Sequence, residues 1–189
     1  NWEVALFNEM QSTPATLEAS RIADIYSCMT SPSGEKHSVQ TRDVEQAYLQ
    51  ADMKGPPVYV ALPKEMWTDE MHKMKCPVFP LRKALYGHKH SGVFWNEHCH
   101  EQCTKAGFIP VSEATWPCVY WNPKSHLLLI VYVDDMKLSG PPSEMEQAWK
   151  DIGQHISLEV PKGDVVSDNA EQTVTFLGCQ QTRSEKVIK

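Results

Sequence analysis

Apolar residues recur at helical spacing in three segments of the chain, and this period predicts three helices. In the first segment, 14–29, the apolar residues that share one helical face are Leu17, Ile22, Ile25, Tyr26 and Met29. The second segment, 94–105, is followed by Gly107, a residue type that commonly ends a helix. The third begins at the capping-box pair Ser143 and Glu146. Its apolar residues are Met145, Ala148, Trp149, Ile152 and Ile156.

Runs rich in β-branched and aromatic residues, bounded by turn residues, predict the strands. The clearest is a hairpin with arms at 119–121 and 127–133, joined by a turn at 122–125. Two acids interrupt the strand pattern after this hairpin, and a returning strand is predicted at 136–139. The other predictions are strands at 37–44, 58–62 and 173–179 and a helical turn at 46–51. The irregular alternation favours an α+β fold, an antiparallel sheet with helices packed on one face.

Composition and charge narrow the class of protein. The 189 residues are 41% hydrophobic, which is enough for one well-buried domain. No apolar run approaches the ~18–20 residues of a membrane helix, so we expect no transmembrane segment. The six cysteines include no CxxC pair, which favours reduced, mostly buried thiols and an intracellular, cytoplasmic location.

The charge is unevenly distributed along the chain. A net charge of −6 is unusual for a nucleic-acid-binding protein. The segment 72–105 nevertheless carries six Lys or Arg against two Glu, whereas residues 1–52 hold eight acids against three bases. A basic segment beside an acidic body fits a track for a polyanion, and it fits an ordinary solvated face equally well.

The first candidates for chemistry are Asp134 and Asp135, which follow directly on the apolar run 127–133. A buried strand does not normally end in two acids unless they are solvated at a turn or neutralised by a cation. A third acid, Asp43, ends another predicted strand. Three converging carboxylates provide oxygen ligands for two Mg²⁺ ions ~3.5–4 Å apart, an arrangement that supports phosphoryl transfer. The residues alone leave a plain Asp-Asp turn open, because Asp is a favoured turn residue.

Four segments occur in the order found in copia-type retrotransposon reverse transcriptases. Residues 43–50, Asp-Val-Glu-Gln-Ala-Tyr-Leu-Gln, resemble the first catalytic motif of that family. Residues 81–89 resemble its Leu-Tyr-Gly segment, and Trp95 stands where the family's tryptophan follows. Residues 132–135, Tyr-Val-Asp-Asp, resemble the third motif, and residues 176–178 resemble the segment that leads into the primer grip. The resemblance covers residues 15–183.

The sequence departs from the family pattern in two places. His88 replaces a leucine, and His90-Ser91-Gly92 stands where the family commonly has Gln-Ala-Pro. Little sequence precedes the first motif and none follows Lys189, so we expect the fingers and thumb to be largely missing. We expect an N-terminal extension at 1–14, a reverse-transcriptase palm-like domain at 15–183 and a tail at 184–189.

The resemblance implies a role for each matching residue. The acids that would hold two Mg²⁺ or Mn²⁺ ions, if the protein is catalytically competent, are Asp43, Asp134 and Asp135. The residues that would bind the nucleotide are Gln46 and Ala47 through backbone amides, Tyr48 as the gate against a ribose 2′-hydroxyl, Tyr86 and Gly87. The residues that would contact the template-primer are Lys89, Phe176, Leu177 and Gly178. Core packing remains an alternative role for Tyr48 and Tyr86. For Lys89, the alternative is a place on a solvated basic face.

Two functions follow from these observations. The first is an RNA-directed DNA polymerase palm that takes deoxynucleotides and an RNA or DNA template-primer. The second is a retroelement-derived, catalytically inactive structural or interaction subunit, whose exposed palm surfaces other protein subunits cover. A metal-dependent nuclease on the same acids lacks a candidate general base. Cys99 and Cys103 share a helix face and could ligate zinc with an outside His, but no usual finger spacing is met.

Overall fold

A computed structural model describes residues 14–159, 172–176 and 179–183. The strands of this part of the chain are β1 (Ser38–Asp43), β2 (Tyr59–Ala61), β3 (Val78–Pro80), β4 (Ile109–Ser112), β5 (Trp116–Asn122), β6 (Leu127–Tyr132), β7 (Asp135–Gly140), β8 (Gln172–Phe176) and β9 (Cys179–Arg183). The central sheet has five strands in the order β1-β7-β6-β5-β4, and every neighbouring pair is antiparallel. Two smaller sheets pair β2 with β3 and β8 with β9.

The helices of the described residues are α1 (Leu17–Ser27), α2 (Ala47–Gln50), α3 (Ser91–Lys105) and α4 (Pro142–Gly153), with short 3₁₀ turns at Lys64–Met66 and Met71–Lys73. The three predicted helices and the predicted hairpin are confirmed, although α3 begins three residues before the predicted start. None of the helices in the described ranges has both the length and the apolar character needed to cross a membrane.

Two strand predictions need correction. The strand predicted at 173–179 is two strands, because β8 ends at Phe176, β9 begins at Cys179, and the two pair antiparallel. Only two residues separate these strands in the sequence, so the strand-forming residues read as one continuous run. Strand β4, which contains Pro110, was not among the predicted strands. The ladder tolerates this proline because β4 is an edge strand of the sheet.

Helices cover both faces of the central sheet, so the prediction of helices on one face is wrong. Along β6, Leu127, Leu129 and Val131 point into the core that includes residues of α3 and α4. Ile130, between them, points into a second core beneath α1. The apolar run 127–133 is continuous rather than alternating, and a strand with this composition buries both of its faces.

Helix α1 packs on the sheet through its small residues. The side chains that it buries are Ala19, Ser20, Ala23 and Ser27. Leu17, Ile22 and Ile25, which lie on the predicted apolar face, are exposed by 53%, 45% and 66%. Small side chains let the helix backbone approach the sheet closely, whereas large ones would hold it away. The helical period was therefore predicted correctly, but the face that it buries was not.

The N-terminus of α4 is capped by a residue distant in sequence. The amide and the hydroxyl of Ser143 donate hydrogen bonds to Glu35 Oε1 and Oε2, both at 2.9 Å. The helix starts at Pro142, a position that suits proline because the first amide of a helix has no helical acceptor. Glu146 pairs instead with Lys150 at 2.7 Å. The predicted capping box is wrong, because the Glu35 carboxylate occupies the helix end.

A buried lysine joins α1 to the sheet. Lys137, on β7, has no exposed surface. Its ammonium forms an ion pair with Asp24, donates to Ser20 Oγ at 3.1 Å, and lies 5.2 Å from the centre of the Phe176 ring. Burial lowers the pKa of Lys137, and the hydrogen bond and charge of Asp24 oppose that shift. No pattern in the sequence marks this charge as buried.

Candidate active site

The register of β1 against β7 brings the predicted acids to one edge of the sheet. Asp43 and Asp135 are direct partners across this antiparallel pair. One residue further along, the amide of Val44 donates a hydrogen bond of 2.7 Å to the carbonyl oxygen of Asp134. Residues that are about ninety positions apart in sequence therefore meet at the end of two neighbouring strands.

The turn between β6 and β7 carries the adjacent acids. Tyr132 pairs with Asp135, so Val133 and Asp134 form a two-residue hairpin turn. Val133 has a φ of +55°, which is rare for a β-branched residue. Two-residue hairpin turns favour a positive φ at the first central position. The turn therefore holds Val133 in a backbone conformation that is strained for a β-branched residue. Asp134 is exposed and Asp135 is half-buried.

A buried tryptophan supports this turn. The indole N–H of Trp95, on α3, donates a hydrogen bond of 2.6 Å to the carbonyl oxygen of Val133. Trp95 has no exposed surface and lies in the core formed with α4 and the sheet. The contact joins residues 38 positions apart in sequence. The sequence marks Trp95 only by its place in the family pattern and indicates no contact for it.

An aromatic pair flanks the acids. The ring centroids of Tyr48 and Tyr86 lie 4.7 Å apart. Burial raises the pKa of the Tyr48 phenol, and the negative charges of Asp134 and Tyr86 raise it further. Tyr48 is half-buried at the start of α2, whereas Tyr86 is 54% exposed. The two tyrosines therefore form one wall beside Asp134.

Backbone contacts fix the segment that carries Tyr86. The amide of Met53 donates to Arg82 O and the amide of Ala84 donates to Ala51 O, both at 2.9 Å. Beyond this short ladder, Ser91 Oγ donates to Leu85 O at 2.7 Å and accepts from the Leu85 amide at 3.1 Å. Ser91 belongs to the part of the sequence that departs from the family pattern, and here it closes the loop that presents Tyr86.

Comparisons with known proteins identify the family of this chain. A family model described as "Reverse transcriptase (RNA-dependent DNA polymerase)" matches residues 18–165, well over half of the chain. The chain belongs to this family. It is also similar to the retrovirus-related Pol polyprotein from transposon RE1 of Arabidopsis thaliana, with 26% identity over 146 residues. These matches confirm the resemblance to retrotransposon reverse transcriptases that the motifs indicated.

The chain spans a small part of that relative. The match covers 77% of the chain but 9% of the polyprotein. No solved structure matches the chain.

The structure also describes other residues that were predicted to bind the nucleotide or the template-primer in this reverse transcriptase domain. Gln46 is exposed with a φ of +46°, and Ala47 beside it is fully buried. Gly87 follows Tyr86 with a φ of +88°, a conformation that glycine adopts without strain. Lys89 is exposed on the same loop.

Of the predicted primer-grip residues, the structure describes Phe176. This side chain is buried in the core beneath α1, near the Lys137 ammonium. Leu177 and Gly178 lie outside the described residues. The template-primer roles of these residues, and that of Lys89, stay predictions.

The donors at the edge suit a hard divalent cation, because carboxylate oxygens are the ligands that Mg²⁺ prefers. Within the described residues, however, no three His, Cys, Asp or Glu side chains are placed to hold one metal ion together. Asp43, Asp134 and Asp135 therefore share an edge of the sheet without forming a closed ligand set.

The cysteine pair on α3 is a buried thiol pair. Cys99 Sγ and Cys103 Sγ are 3.8 Å apart, and neither residue is bonded as a disulfide. The hydrogen bond with Cys103, followed by burial, raises the pKa of Cys99. Among the cysteines whose side chains are described, Cys28 and Cys76 are exposed, so the prediction of mostly buried thiols holds only in part. The zinc hypothesis gains no third ligand in the described residues.

Proposed function

We propose that this domain is the palm of an RNA-directed DNA polymerase, which adds deoxynucleotides to a primer 3′-hydroxyl. The observation that carries the proposal is the direct pairing of Asp43 with Asp135, with Asp134 at the adjoining turn. The geometry unites two motifs that are far apart in the sequence. The family match supports the same reaction class.

Asp43, Asp134 and Asp135 are the residues that would hold two Mg²⁺ or Mn²⁺ ions. When bound, such ions activate the attacking hydroxyl and neutralise the leaving pyrophosphate. The protein's own contribution is to bring the three backbones together through the β1–β7 register and to fix the turn. The exposed Asp134 and the half-buried Asp135 project from neighbouring positions, so they are suited to different ligand positions around such a pair.

Tyr48 and Tyr86 would shape the nucleotide pocket. Tyr48 lies beside Asp134 and is braced by the ring of Tyr86, so its phenol is held near the proposed reaction centre. A rigid ring at this place would collide with a ribose 2′-hydroxyl and leave room for a deoxyribose. The backbone at Gln46 and Ala47 would face the triphosphate, and Gly87 would line the pocket beside Tyr86.

The proposed partners are an RNA or DNA template-primer and deoxynucleoside triphosphates. Lys89 and residues 176–178 are the proposed contacts to the template-primer. Because the relative is a polyprotein about ten times the matched length, we propose that the remaining polymerase elements come from other segments or subunits. The free thiols of the described cysteines support an intracellular location, where thiols stay reduced.

Primer extension tests this function in the full protein that carries the domain. The parent should incorporate deoxynucleotides on an RNA template in the presence of Mg²⁺, and Asp134→Asn should reduce incorporation by at least about 100-fold. Asp69→Asn is the matched control, because Asp69 is an exposed acid outside the edge. Absence of incorporation by the folded parent would contradict the proposal and favour an inactive structural subunit.

A further inference from the structure

We propose that Trp95 is a positioning residue of this site, whose indole N–H holds the Val133 peptide in the conformation that presents the neighbouring acids. The geometric part of the inference stands on the contacts of the turn. Its consequence for metal binding rests on the proposed function.

The turn needs an external support because its conformation is unfavourable. Val133 combines a positive φ with a β-branched side chain, a combination that a chain leaves when neighbouring contacts do not hold it. Asp134 follows this residue directly and Asp135 begins β7. A relaxation of φ at Val133 would rotate the peptide that leads into Asp134 and move that carboxylate relative to Asp43.

Two contacts hold the turn from two different elements. Trp95 donates to the carbonyl oxygen of Val133 at 2.6 Å, and the Val44 amide donates to the carbonyl oxygen of Asp134 at 2.7 Å. Consecutive carbonyl groups of the turn are thus fixed by α3 and by the end of β1. The peptide between these two anchors cannot rotate without breaking one of the hydrogen bonds.

The side chain of Trp95 suits this task. Its indole is a donor only, so it has a single way to hydrogen-bond, and its ring is fully buried in the core. Phenylalanine at this position would keep the apolar packing and remove the donor. In this proposal Trp95 acts by holding the Val133 peptide, and it does not itself touch a substrate.

Trp149 provides a matched control in the same protein. It is 1% exposed, and its indole N–H donates a hydrogen bond of 2.8 Å to Gln40 Oε1. Trp149→Phe and Trp95→Phe each remove one indole donor from a buried ring, but Gln40 lies three residues before Asp43 and outside the turn. If the substitutions act only by weakening the packing of the core, Val44 amide exchange and Mn²⁺ affinity should change by similar amounts in both variants.

Two measurements on Trp95→Phe, Trp149→Phe and the parent test the inference. By NMR, the Val44 amide should exchange faster with solvent in Trp95→Phe, because its acceptor Asp134 O is no longer held. By calorimetric titration, Mn²⁺ affinity should fall by about 10-fold in Trp95→Phe, a loss typical of outer partners of metal ligands. Trp149→Phe should match the parent in both measurements. Thermal unfolding curves show whether each variant is folded at the temperature used.

Equal Val44 exchange in Trp95→Phe and the parent would overturn the inference, as would equal changes in the two tryptophan variants. If the parent binds no Mn²⁺ and extends no primer, that result contradicts the proposed function but does not test the role of Trp95. The exchange rates would then still decide whether Trp95 holds the turn. If Trp95→Phe does not fold, Trp95→His, which retains a ring N–H, should restore slow Val44 exchange, and failure to do so contradicts the inference.

Discussion

The Tyr48 phenol is within electrostatic reach of the Asp134 carboxylate, although Tyr48 lies in the segment 43–50 and Asp134 lies in the segment 132–135. Burial raises the pKa of the Tyr48 phenol first, and the Asp134 charge raises it further. The ring also packs against Tyr86 at 4.7 Å. The pKa of Tyr48, the proposed nucleotide gate, therefore reports on the charge of Asp134 in the proposed metal site.

Removing the Asp134 charge should lower the pKa of Tyr48 towards its ordinary value of 10.0. Because the folded-state pKa is raised, the unfolded chain loses this proton first. Stability should therefore fall as the pH rises above 10.0 through the folded-state value. In Asp134→Asn the fall should still begin near 10.0, but it should end at a lower pH and be smaller, because the folded-state pKa lies closer to 10.0. Ultraviolet titration of tyrosinate, with Tyr48→Phe to assign the signal and Asp69→Asn as control, measures the shift. An unchanged titration would contradict the contact.

Shortening Tyr48 should relax the choice of sugar. Tyr48→Val removes the ring that we place against a ribose 2′-hydroxyl, so incorporation of ribonucleotides should rise relative to deoxynucleotides by about 10-fold or more. Single-nucleotide primer extension gives the ratio of the two kcat/KM values. Tyr48→Phe keeps the ring and should keep the discrimination. An equal loss of discrimination in both variants would assign the effect to the hydroxyl group rather than to the ring.

The Lys137–Asp24 pair should respond unequally to the loss of each partner. Lys137 is fully buried, whereas the Asp24 side chain is 31% exposed. Asp24→Asn removes the carboxylate that forms the ion pair with the buried ammonium and should lower the free energy of unfolding by about 3–5 kcal/mol. Lys137→Met leaves a carboxylate that water reaches, so its cost should be smaller. Denaturant unfolding measures both values, and Glu146→Gln, which breaks an exposed pair, should change little.

The Asp24→Asn variant should also recover stability as the pH rises. Burial already lowers the pKa of Lys137 below 10.5, and Asp24 opposes that shift. Without Asp24 the folded-state pKa falls further, so the folded protein releases the proton before the unfolded chain does. Its stability therefore rises with pH from the folded-state pKa up to 10.5. A stability of Asp24→Asn that is flat over this alkaline range would contradict the buried position of Lys137.

Thiol reactivity should divide the described cysteines into two groups. Burial raises the pKa of Cys118 to about 11, and the pKa of Cys99 is also raised. Since the thiolate is the reactive form, these residues should alkylate slowly near neutral pH. The exposed Cys28 and Cys76 should alkylate quickly. Mass spectrometry of alkylated peptides, before and after denaturation, separates the groups, and fast labelling of Cys99 in the folded protein would contradict the buried pair.

Local patterns in the sequence predicted most elements of this fold. The helical period located α1, α3 and α4, and the apolar run 127–133 with its turn residues located the β5–β6 hairpin. The candidate acids were also visible, because acids directly after apolar strands are unusual. Such signals are local, since they depend on spacing within one element and on the residue types at its ends.

Only the tertiary structure decided which faces and partners these elements use. The sequence by itself predicted a helix within residues 14–29, which the structure has at 17–27, but packing decided that Ala19 and Ala23 face the sheet while Ile25 faces outwards. The contacts of Trp95 with Val133, and of Glu35 with Ser143, join distant segments. Pairing at such separations depends on how the layers pack and on which buried polar groups find partners, and spacing along the chain does not encode either. The acids and their expected convergence were therefore readable from the sequence, whereas the β1–β7 register that joins them at one edge and the Trp95 hydrogen bond to their turn were decided by the fold.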